Sequence, residues 1–584
     1  MSDLLFKKVD YNIGKLLEDI AIGEIGLPDI QRPFVWDTAR VRDLFDSMYL
    51  GYPIGTLLFW ENGYPGEHRT IGVDGKQKVP DLLIVDGQQR LTALYAVMRG
   101  IPIVDRNFQQ RRLRIAFNPL EGRFEVTNTA IERDPAWIPD ISVLWQPDFD
   151  QYNFVSRFLD SLEARRGLTP EERKRIPQAI QRLVNLINYP MTALEISVHA
   201  TEEQVSEIFV RINSRGRTLN QADFILTLMS VFWDEGRKQL EDFSREAKYP
   251  PADNRLSPYN PYFQPQPDQL LRVDVALAFR RARLEHVYSI LRGKDLQTGE
   301  FSPERRDAQF ALLREAQAEV LNLQHWHDFL KVIKRAGYIH PSLITSQTAL
   351  VYTYALWLIA KRDFGLDQHT LRNLMARWFF MSSLTGRYTS SPETRMEQDL
   401  ALLRGCSRPE EFVQVLEQEM AAVLTLDYWT VTLPNELATA SHLNPGQAAF
   451  FATLCLLDAP VLYSCMRVRE LLDPTSRGRK SALERHHLFP RKYLKRQRIT
   501  DPRDINQVAN YALVEWHDNL DISDRPPAQY APEYESRFTP EQLEEMHRYH
   551  ALPEHWYQMD YPAFLEERRR RMAAIIREGF EQLR

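Results

Sequence analysis

Two adjacent histidines, His486 and His487, open the stretch of sequence whose residue types most strongly indicate chemistry. A short apolar run follows them directly, and two asparagines, Asn510 and Asn519, lie further along the chain. A neutral imidazole can take a proton from water near pH 7. An imidazole nitrogen and an amide oxygen can together hold one divalent ion at the oxygens of a phosphodiester. These residues therefore predict hydrolysis of a phosphodiester bond.

A strand, a loop, a second strand and then a helix would bring these four side chains together. The second strand is predicted in the apolar run from Tyr511 to Trp516. Adjacent side chains on a regular strand point to opposite faces, so the two histidines converge only on an irregular or bulged segment. Two surface histidines without a role are the simpler interpretation of the pair taken alone. His517 is a competing metal-ligand candidate.

The run HHLFP, with the two asparagines at their spacing, resembles the HNH (ββα-metal) nucleases in the variant named DUF1524. The resemblance implies that His487 is the general base and that Asn510 orients the histidine loop. It also implies a metal site formed by His486 and Asn519, with Mg²⁺ as the expected ion. Many HNH enzymes carry an acidic residue where this chain has His486, which leaves the preferred metal open.

A second candidate site lies in the first hundred residues, between a predicted buried strand at 82–85 and a predicted helix at 91–98. The connecting sequence is Asp86-Gly87-Gln88-Gln89-Arg90. Backbone N–H groups at a helix N-terminus attract phosphate, and an arginine can bind an anion through two hydrogen bonds. Asp86 could hold a magnesium ion or a sugar hydroxyl. The alternative is a capped turn with an ion-paired arginine.

Two further stretches favour a nucleotide site over a structural turn. They are Gln31 to Trp36 and Phe209 to Leu219. With the sequence DGQQR they match the signatures of the DUF262 domain, which has a ParB/sulfiredoxin-like fold. The resemblance implies that nucleoside triphosphates are bound and hydrolysed. We expect the nucleotide to be contacted by Gln31, Arg32, Asp86, Gln88, Gln89, Arg90, Asn213, Arg215 and Gly216.

The 584 residues are enough for about three or four domains. Six prolines between Tyr249 and Asp268 indicate a loop or linker, and a long helical pattern follows them. We predict an α+β multidomain protein: a ParB/sulfiredoxin-like nucleotide-binding domain at 1–240, a mainly helical middle region at 241–426, and a ββα-metal (HNH) nuclease domain at 427–584. An amphipathic helix is predicted at 9–20, and Asp37 is predicted to cap a helix that reaches Met48.

The net charge of −6 excludes a chain that is basic throughout, so any nucleic-acid contact must be local. Basic residues lie on both sides of the two histidines, which suits a DNA backbone. The three cysteines show no CxxC spacing and fit a reducing cytoplasm. No secretion signal or bilayer-length apolar run is evident. We therefore predict a cytoplasmic protein with no membrane role.

A DUF262 half joined to a DUF1524 half resembles the GmrSD-type, or type IV, restriction enzymes. The resemblance implies a homodimeric phage-defence endonuclease that uses a nucleoside triphosphate and a divalent metal. The implied substrate is double-stranded phage DNA that carries hydroxymethylated or glucosylated cytosine. Two alternatives stay open: a nuclease that senses phosphorothioate DNA, and a nucleotide-switched DNA-binding regulator that does not cleave.

Overall fold

The chain forms two compact units, Met1–Asp234 and Glu235–Arg584. The computed structural model describes residues 4–28, 34, 36–61, 68–69, 81–104, 110–200, 204–205, 208, 221–251, 253, 255–294, 302–474 and 483–584. Helices and strands occur in both units, which confirms the α+β class. The ParB/sulfiredoxin-like and HNH folds and the three domain ranges stay predictions. The predicted middle and nuclease regions both lie in the second unit.

The first unit is organised around a mixed sheet. In the described part of the chain the sheet has six strands: β1 Phe6–Asn12, β2 Ile25–Pro28, β3 Leu57–Glu61, β4 His68–Arg69, β5 Leu82–Asp86 and β10 Pro190–Ile196. Their order is β1-β10-β3-β5-β2-β4. β10 runs antiparallel to β1 and parallel to β3, and β5 runs antiparallel to β3 and parallel to β2. Two short strand pairs lie outside this sheet: β6 Ile103–Val104 with β7 Gln110–Arg111, and β8 Ile115–Asn118 with β9 Arg123–Val126.

The helices described in the first unit are α1 Ile13–Ile22, α2 Thr38–Leu50, α3 Gln88–Arg99, α4 Thr129–Glu132, α5 Gln151–Arg165, α6 Pro170–Val184 and α7 Gln221–Phe232. Five of these seven, α1, α2, α3, α5 and α6, share a core with this sheet. Leu16, Phe45 and Leu94 from the first three helices share one buried core with Phe59 and Ile84 of the sheet. Burial of this apolar surface is the main force that holds the layers together.

Local capping fixes where two of these helices begin. The Asp37 carboxylate accepts a hydrogen bond from the Arg40 backbone N–H at 2.8 Å, so its predicted role as an N-cap is confirmed. The helix predicted at 9–20 begins later, at Ile13, so residues 9–12 were predicted wrongly. Those residues belong to β1, because their backbone pairs with β10 and the Asn12 side chain caps α1.

The second unit is mainly helical and contains one pair of strands among its described residues. The strands are β11 Leu483–His487 and β12 Tyr511–Glu515. The helices are α8 Asp234–Glu246, α9 Pro267–Phe279, α10 Leu284–Leu291, α11 Pro303–Val320, α12 Leu323–Arg335, α13 Gln347–Arg362, α14 Gln368–Leu384, α15 Pro392–Leu402, α16 Pro409–Val423, α17 Leu433–Glu436, α18 Pro445–Leu456, α19 Val468–Leu472, α20 Arg491–Arg496, α21 Pro502–Ile505, α22 Trp516–Ile522, α23 Pro527–Glu535, α24 Pro540–Tyr549 and α25 Tyr561–Glu581. α8 starts at the last residue of the first unit. Of the helices described, none has the length and apolar character needed to cross a membrane.

The proline-rich segment predicted as a linker packs inside the second unit. The Asn260 amide nitrogen donates to the Phe263 carbonyl at 2.8 Å, and the Trp326 indole donates to the Pro258 carbonyl at 2.9 Å. Trp326 is fully buried. The segment is therefore a non-helical part of this core, and the boundary between the two units falls earlier, at Asp234.

Candidate active site

The two histidines lie at the end of β11, opposite the start of β12. The strands run antiparallel, with His486 opposite Ala512 and His487 opposite Tyr511. α22 follows β12 directly, and the connection between the strands contains α20, α21 and a short 3-10 turn at Val508–Asn510. The local order is thus strand, strand, helix, and it sets His486 beside α22. The pairing of β11 with β12 is regular, without the bulge on which convergence of the two histidines was predicted to depend, so their side chains lie on opposite faces of the strand.

His486 and Asn519, the two predicted metal ligands, are brought together. Nδ1 of His486 lies 2.9 Å from Oδ1 of Asn519 on α22. An amide oxygen only accepts hydrogen bonds, so this contact places the ring proton on Nδ1. Nε2 of His486 is buried and has no hydrogen-bond partner among the described residues. Asn519, and not the exposed His517, therefore contacts the first histidine.

His487 contacts a residue that the sequence analysis did not single out. Its Nε2 lies 3.0 Å from Oδ1 of Asn506, and the Tyr511 hydroxyl donates to the same oxygen at 3.3 Å. The Tyr511 ring also packs on the His487 ring, with 4.4 Å between their centroids. Because the amide oxygen accepts the Nε2 proton, the lone pair of the neutral ring lies on Nδ1. The one sequence feature that could have indicated Asn506 is its amide side chain in the predicted loop between the two strands.

Asn510 ties the segment after the histidines to the connection between the strands. Its Oδ1 accepts the Phe489 backbone N–H at 2.8 Å, and its Nδ2 donates to the carbonyls of Phe489 and Ile505 at 3.1 and 3.0 Å. The side chain is fully buried. These contacts would allow Asn510 to orient the histidine loop. The catalytic importance of Asn510 stays a prediction.

Burial keeps both histidines neutral at neutral pH. It lowers the pKa of His486 from 6.5 to about 4, against the opposing effect of the contact with Asn519. Burial also lowers the pKa of His487, and nearby Arg491 acts in the same direction. Neutral rings are the form in which imidazole binds a metal ion or takes a proton from water.

The His486–Asn519 pair suits one divalent cation. Two neighbouring ligands of an octahedral ion at about 2.1 Å would lie roughly 3 Å apart, and the two atoms are 2.9 Å apart. A cation held by both atoms would replace the hydrogen bond between them, with the ring proton moved from Nδ1 to Nε2. Within the described ranges, no group of three or more His, Cys, Asp or Glu side chains could hold a metal ion. A cation bound here would therefore depend on this imidazole and amide, with water and substrate oxygens as its other ligands.

The turn that carries DGQQR has a different character. Gln88, Gln89 and Arg90 are not a loop before the helix, as predicted; they form the first turn of α3. The reason is Gly87, which adopts a left-handed conformation with φ of 97° and ends β5 abruptly. A Cβ at this position would lie 2.3 Å from the Leu57 side chain, so any larger residue would have to displace Leu57.

The Arg90 guanidinium is directed at the protein backbone. Nη1 donates to the Ile54 carbonyl at 2.6 Å, and Nη2 donates to the Thr56 carbonyl at 2.7 Å. Nη2 also lies 3.4 Å from the Asp86 carboxylate, and burial lowers the pKa of Arg90. These contacts are those of the alternative interpretation, a turn held by an ion-paired arginine. A role for Asp86 and Arg90 in nucleotide binding stays a prediction.

The other residues of the predicted nucleotide site fall into two groups. Gln31, Arg32, Asn213, Arg215 and Gly216 lie outside the described residues. Gln88 and Gln89 lie within the described part of the chain, at the N-terminus of α3.

Comparison with known proteins links the first unit to restriction enzymes. Residues 13–230 match the family model described as "GmrSD restriction endonuclease, N-terminal domain". The chain is also similar to an uncharacterized protein of Methanocaldococcus jannaschii, with 22% identity over 558 residues that cover 89% of this chain and 86% of that protein. The family match contains β5, the DGQQR turn and most of the first unit, and it ends before the histidines.

Proposed function

We propose that this protein is a nucleotide-dependent and metal-dependent DNA endonuclease of phage defence that cleaves modified DNA. The observation that carries the proposal is the arrangement on β11, β12 and α22, where His486 pairs with Asn519 and His487 pairs with Asn506. The match of residues 13–230 to the N-terminal domain of a restriction endonuclease supports the same reaction class.

His487 would act as the general base. Its ring is neutral at neutral pH, and its Nε2 proton is held by Asn506, so Nδ1 can take a proton from an attacking water. Asn510 would keep the following backbone in place through its three hydrogen bonds. The resulting hydroxide would attack the phosphorus of a DNA phosphodiester.

His486 and Asn519 would hold the divalent cation, which we expect to be Mg²⁺. Such a cation stabilises negative charge on phosphate oxygens and on the leaving oxygen. The role of this chain is to offer one neutral imidazole, with its ring proton on Nε2, and one amide oxygen at 2.9 Å from Nδ1 of that ring. Burial of His486 assists, because a ring with a pKa of about 4 stays unprotonated throughout the neutral range.

The basic residues around β11 would contact the DNA backbone. Arg491, Lys492, Lys495 and Arg496 on α20 are exposed, and Arg498 follows them. Contacts of this kind bind phosphate and carry no information about base identity. We therefore assign recognition of hydroxymethylated or glucosylated cytosine to another part of the chain.

The first unit would bind a nucleoside triphosphate and control cleavage. The family match and the strand-to-helix turn at Asp86 support this assignment. A bound nucleotide shifts a conformational equilibrium only by its difference in affinity for the two states. We propose that the nucleotide acts by such a shift, in a homodimer, and takes no part in the phosphodiester chemistry.

The decisive experiment is cleavage of matched DNA duplexes by the full chain. The duplexes would be unmodified, methylated, hydroxymethylated, glucosylated or phosphorothioated, each with and without divalent metal and each nucleoside triphosphate. We expect metal-dependent cleavage of hydroxymethylated or glucosylated DNA, and a loss of about 10²–10⁴-fold in His487→Ala.

Other outcomes identify the alternatives. Selective cleavage of phosphorothioated DNA would assign that substrate in place of modified cytosine. Nucleotide-sensitive binding without cleavage under every condition would identify a regulator. His487→Ala at the wild-type rate would remove the active-site assignment.

A further inference from the structure

The long C-terminal helix α25 reaches into the candidate active site from a distance of about fifty residues in sequence. Tyr561, Phe564 and Arg568 are spaced by three and four residues, which places them on one face of the helix. All three are buried, and Phe564 and Arg568 are fully so. We refer to these three residues as the clamp.

Tyr561 and Arg568 hold the backbone on both sides of the two loop asparagines. The Tyr561 hydroxyl lies 2.7 Å from the carbonyl of Asp504 and 3.3 Å from that of Ile505, directly before Asn506. Arg568 Nη1 donates to the carbonyls of Ala509 and Tyr511 at 2.7 and 2.8 Å, on either side of Asn510. The clamp thus fixes the segments that present Asn506 and Asn510.

Phe564 packs directly behind the histidine strand. Its ring lies 4.8 Å from that of Phe489, and the Tyr561 ring lies 5.2 Å from the same side chain, measured between centroids. Phe489 follows His487 by two residues, and its backbone is bonded to Asn510. One helix face therefore contacts both ends of the connection that begins after the histidines.

The hydrogen bonds of Arg568 indicate that it holds the backbone in place as well as packing in the core. Its Nε and Nη2 both donate to the His550 carbonyl at 3.1 Å, so every acceptor found for it is a backbone carbonyl. Among the described residues it forms no ion pair. Burial lowers its pKa to about 9, which leaves it charged at neutral pH. A fully buried cation is costly, and an apolar residue could anchor the helix without that cost.

We propose that Tyr561, Phe564 and Arg568 are positioning residues that set the orientation of His487 through Asn506 and Asn510. This inference rests on the proposed function, because it assigns the clamp a part in the same site. The clamp contacts the connection between the strands, and His486 and Asn519 bind each other without it. Loosening it would therefore slow the chemical step and leave metal binding and DNA binding unchanged.

The test compares two Tyr→Phe variants of the full chain. Tyr561→Phe removes only the hydroxyl that holds the residues before Asn506. Tyr354→Phe is the matched control, because that fully buried hydroxyl donates to the Val320 carbonyl at 2.8 Å and touches no part of the site. Arg568→Lys is a stronger variant that keeps the charge and loses the planar arrangement of donors.

We expect Tyr561→Phe to lower the single-turnover cleavage rate by about 10-fold, since small displacements of a catalytic group can cost up to 100-fold. The Kd for DNA and the half-saturating metal concentration should equal those of the wild type. Tyr354→Phe should cleave at the wild-type rate. Equal rates for Tyr561→Phe and Tyr354→Phe would overturn the clamp.

A second measurement decides the clamp independently of cleavage. The NMR signal of the His487 ring, assigned by its loss in His487→Ala, should move in Tyr561→Phe and Arg568→Lys and stay fixed in Tyr354→Phe. An unmoved signal in both clamp variants would overturn the inference. A moved signal in a protein that cleaves none of the DNA duplexes would support the clamp and reject the proposed function.

Discussion

Two regions of this molecule carry polar sequence motifs that predict function, and their side chains have different kinds of hydrogen-bond partner in the structure. At the histidine pair, functional side chains bond to one another: His486 to Asn519 and His487 to Asn506. At the DGQQR turn, the Arg90 guanidinium bonds to the backbone carbonyls of Ile54 and Thr56. In the first region, Nε2 of His486 is buried and has no partner among the described residues. In the second, the arginine donors hold a loop.

This difference separates residues by what a substitution should disturb. Side chains that bond to each other can be removed together with their chemistry, while removal of a guanidinium that bonds the backbone also removes the hydrogen bonds that hold a loop. Substitutions at different residues of one motif therefore probe different properties of the protein. Asp86 tests nucleotide chemistry, and Arg90 tests the fold of the turn.

The largest effect is expected at the proposed metal ligands. Asn519→Ala should raise the metal concentration needed for half-maximal cleavage by at least the roughly 100-fold that loss of a supporting metal-site residue can cause. Titration of cleavage with Mg²⁺ and Mn²⁺ measures the change. His517→Ala, two residues earlier on α22, is the matched control and should behave as the wild type. The reverse result would make His517 the ligand.

The next effect distinguishes Arg90 from Asp86. Arg90→Lys should destabilise the first unit by about 1 kcal/mol, because lysine cannot supply both the Ile54 and Thr56 carbonyls with the donors they have now, and a lost hydrogen bond costs about 0.5–1.5 kcal/mol. Urea unfolding measures this loss. Asp86→Asn should unfold as the wild type does and lose nucleotide hydrolysis. Wild-type stability of the Arg90→Lys protein would show that the turn does not need these hydrogen bonds. The Arg90 guanidinium would then be available to bind a ligand.

A smaller effect is expected where Asn506 holds His487. Asn506→Ala should lower the cleavage rate by about 10-fold, because partners that orient a functional ring are worth 10–100-fold, while the metal requirement stays unchanged. Asn373→Ala is the control for removal of an asparagine beside a histidine: on α14 the amide nitrogen of Asn373 lies 3.4 Å from Nε2 of His369. Single-turnover rates at saturating Mg²⁺ compare the two. Wild-type cleavage by Asn506→Ala would leave orientation of the ring to Tyr511 alone.

The smallest effect concerns the pH dependence of stability. Burial lowers the pKa of His550 from 6.5 to about 4, with Arg568 and His547 acting in the same direction and a hydrogen bond to the Pro460 carbonyl opposing them. The unfolded state therefore binds the proton more readily, so the stability is present above pH 6.5 and is lost as pH falls toward 4.

Between pH 7 and pH 5.5 this loss should be about 1 kcal/mol. His550→Gln keeps a donor for the Pro460 carbonyl and removes the titration. Its urea midpoint should fall less than that of the wild type over this range. Equal falls in the two proteins would assign the acid sensitivity to other groups.

Much of the local structure could be predicted because its causes lie within a few residues. Asp37 caps α2 through a neighbouring N–H, and the apolar runs at 82–85 and 511–516 mark most of β5 and all of β12. The helix predicted from residue 9 failed because pairing with β10, about 180 residues away, takes residues 9–12 into a strand. A short stretch of sequence around residues 9–12 does not include β10 and therefore cannot show this pairing.

For the candidate site, the sequence by itself determined which chemistry is available: two imidazoles, two amides and an apolar run between them, at spacings typical of a strand pair and a helix. Only the tertiary structure decided the partners. It selected Asn519 over His517 as the partner of His486, added Asn506, and placed Arg568, which lies within the charged run from Glu566 to Arg571, in the core beneath Asn510. The reason is physical: hydrogen bonds and burial join residues that are distant in sequence, and each side chain's role follows from which partners it meets there.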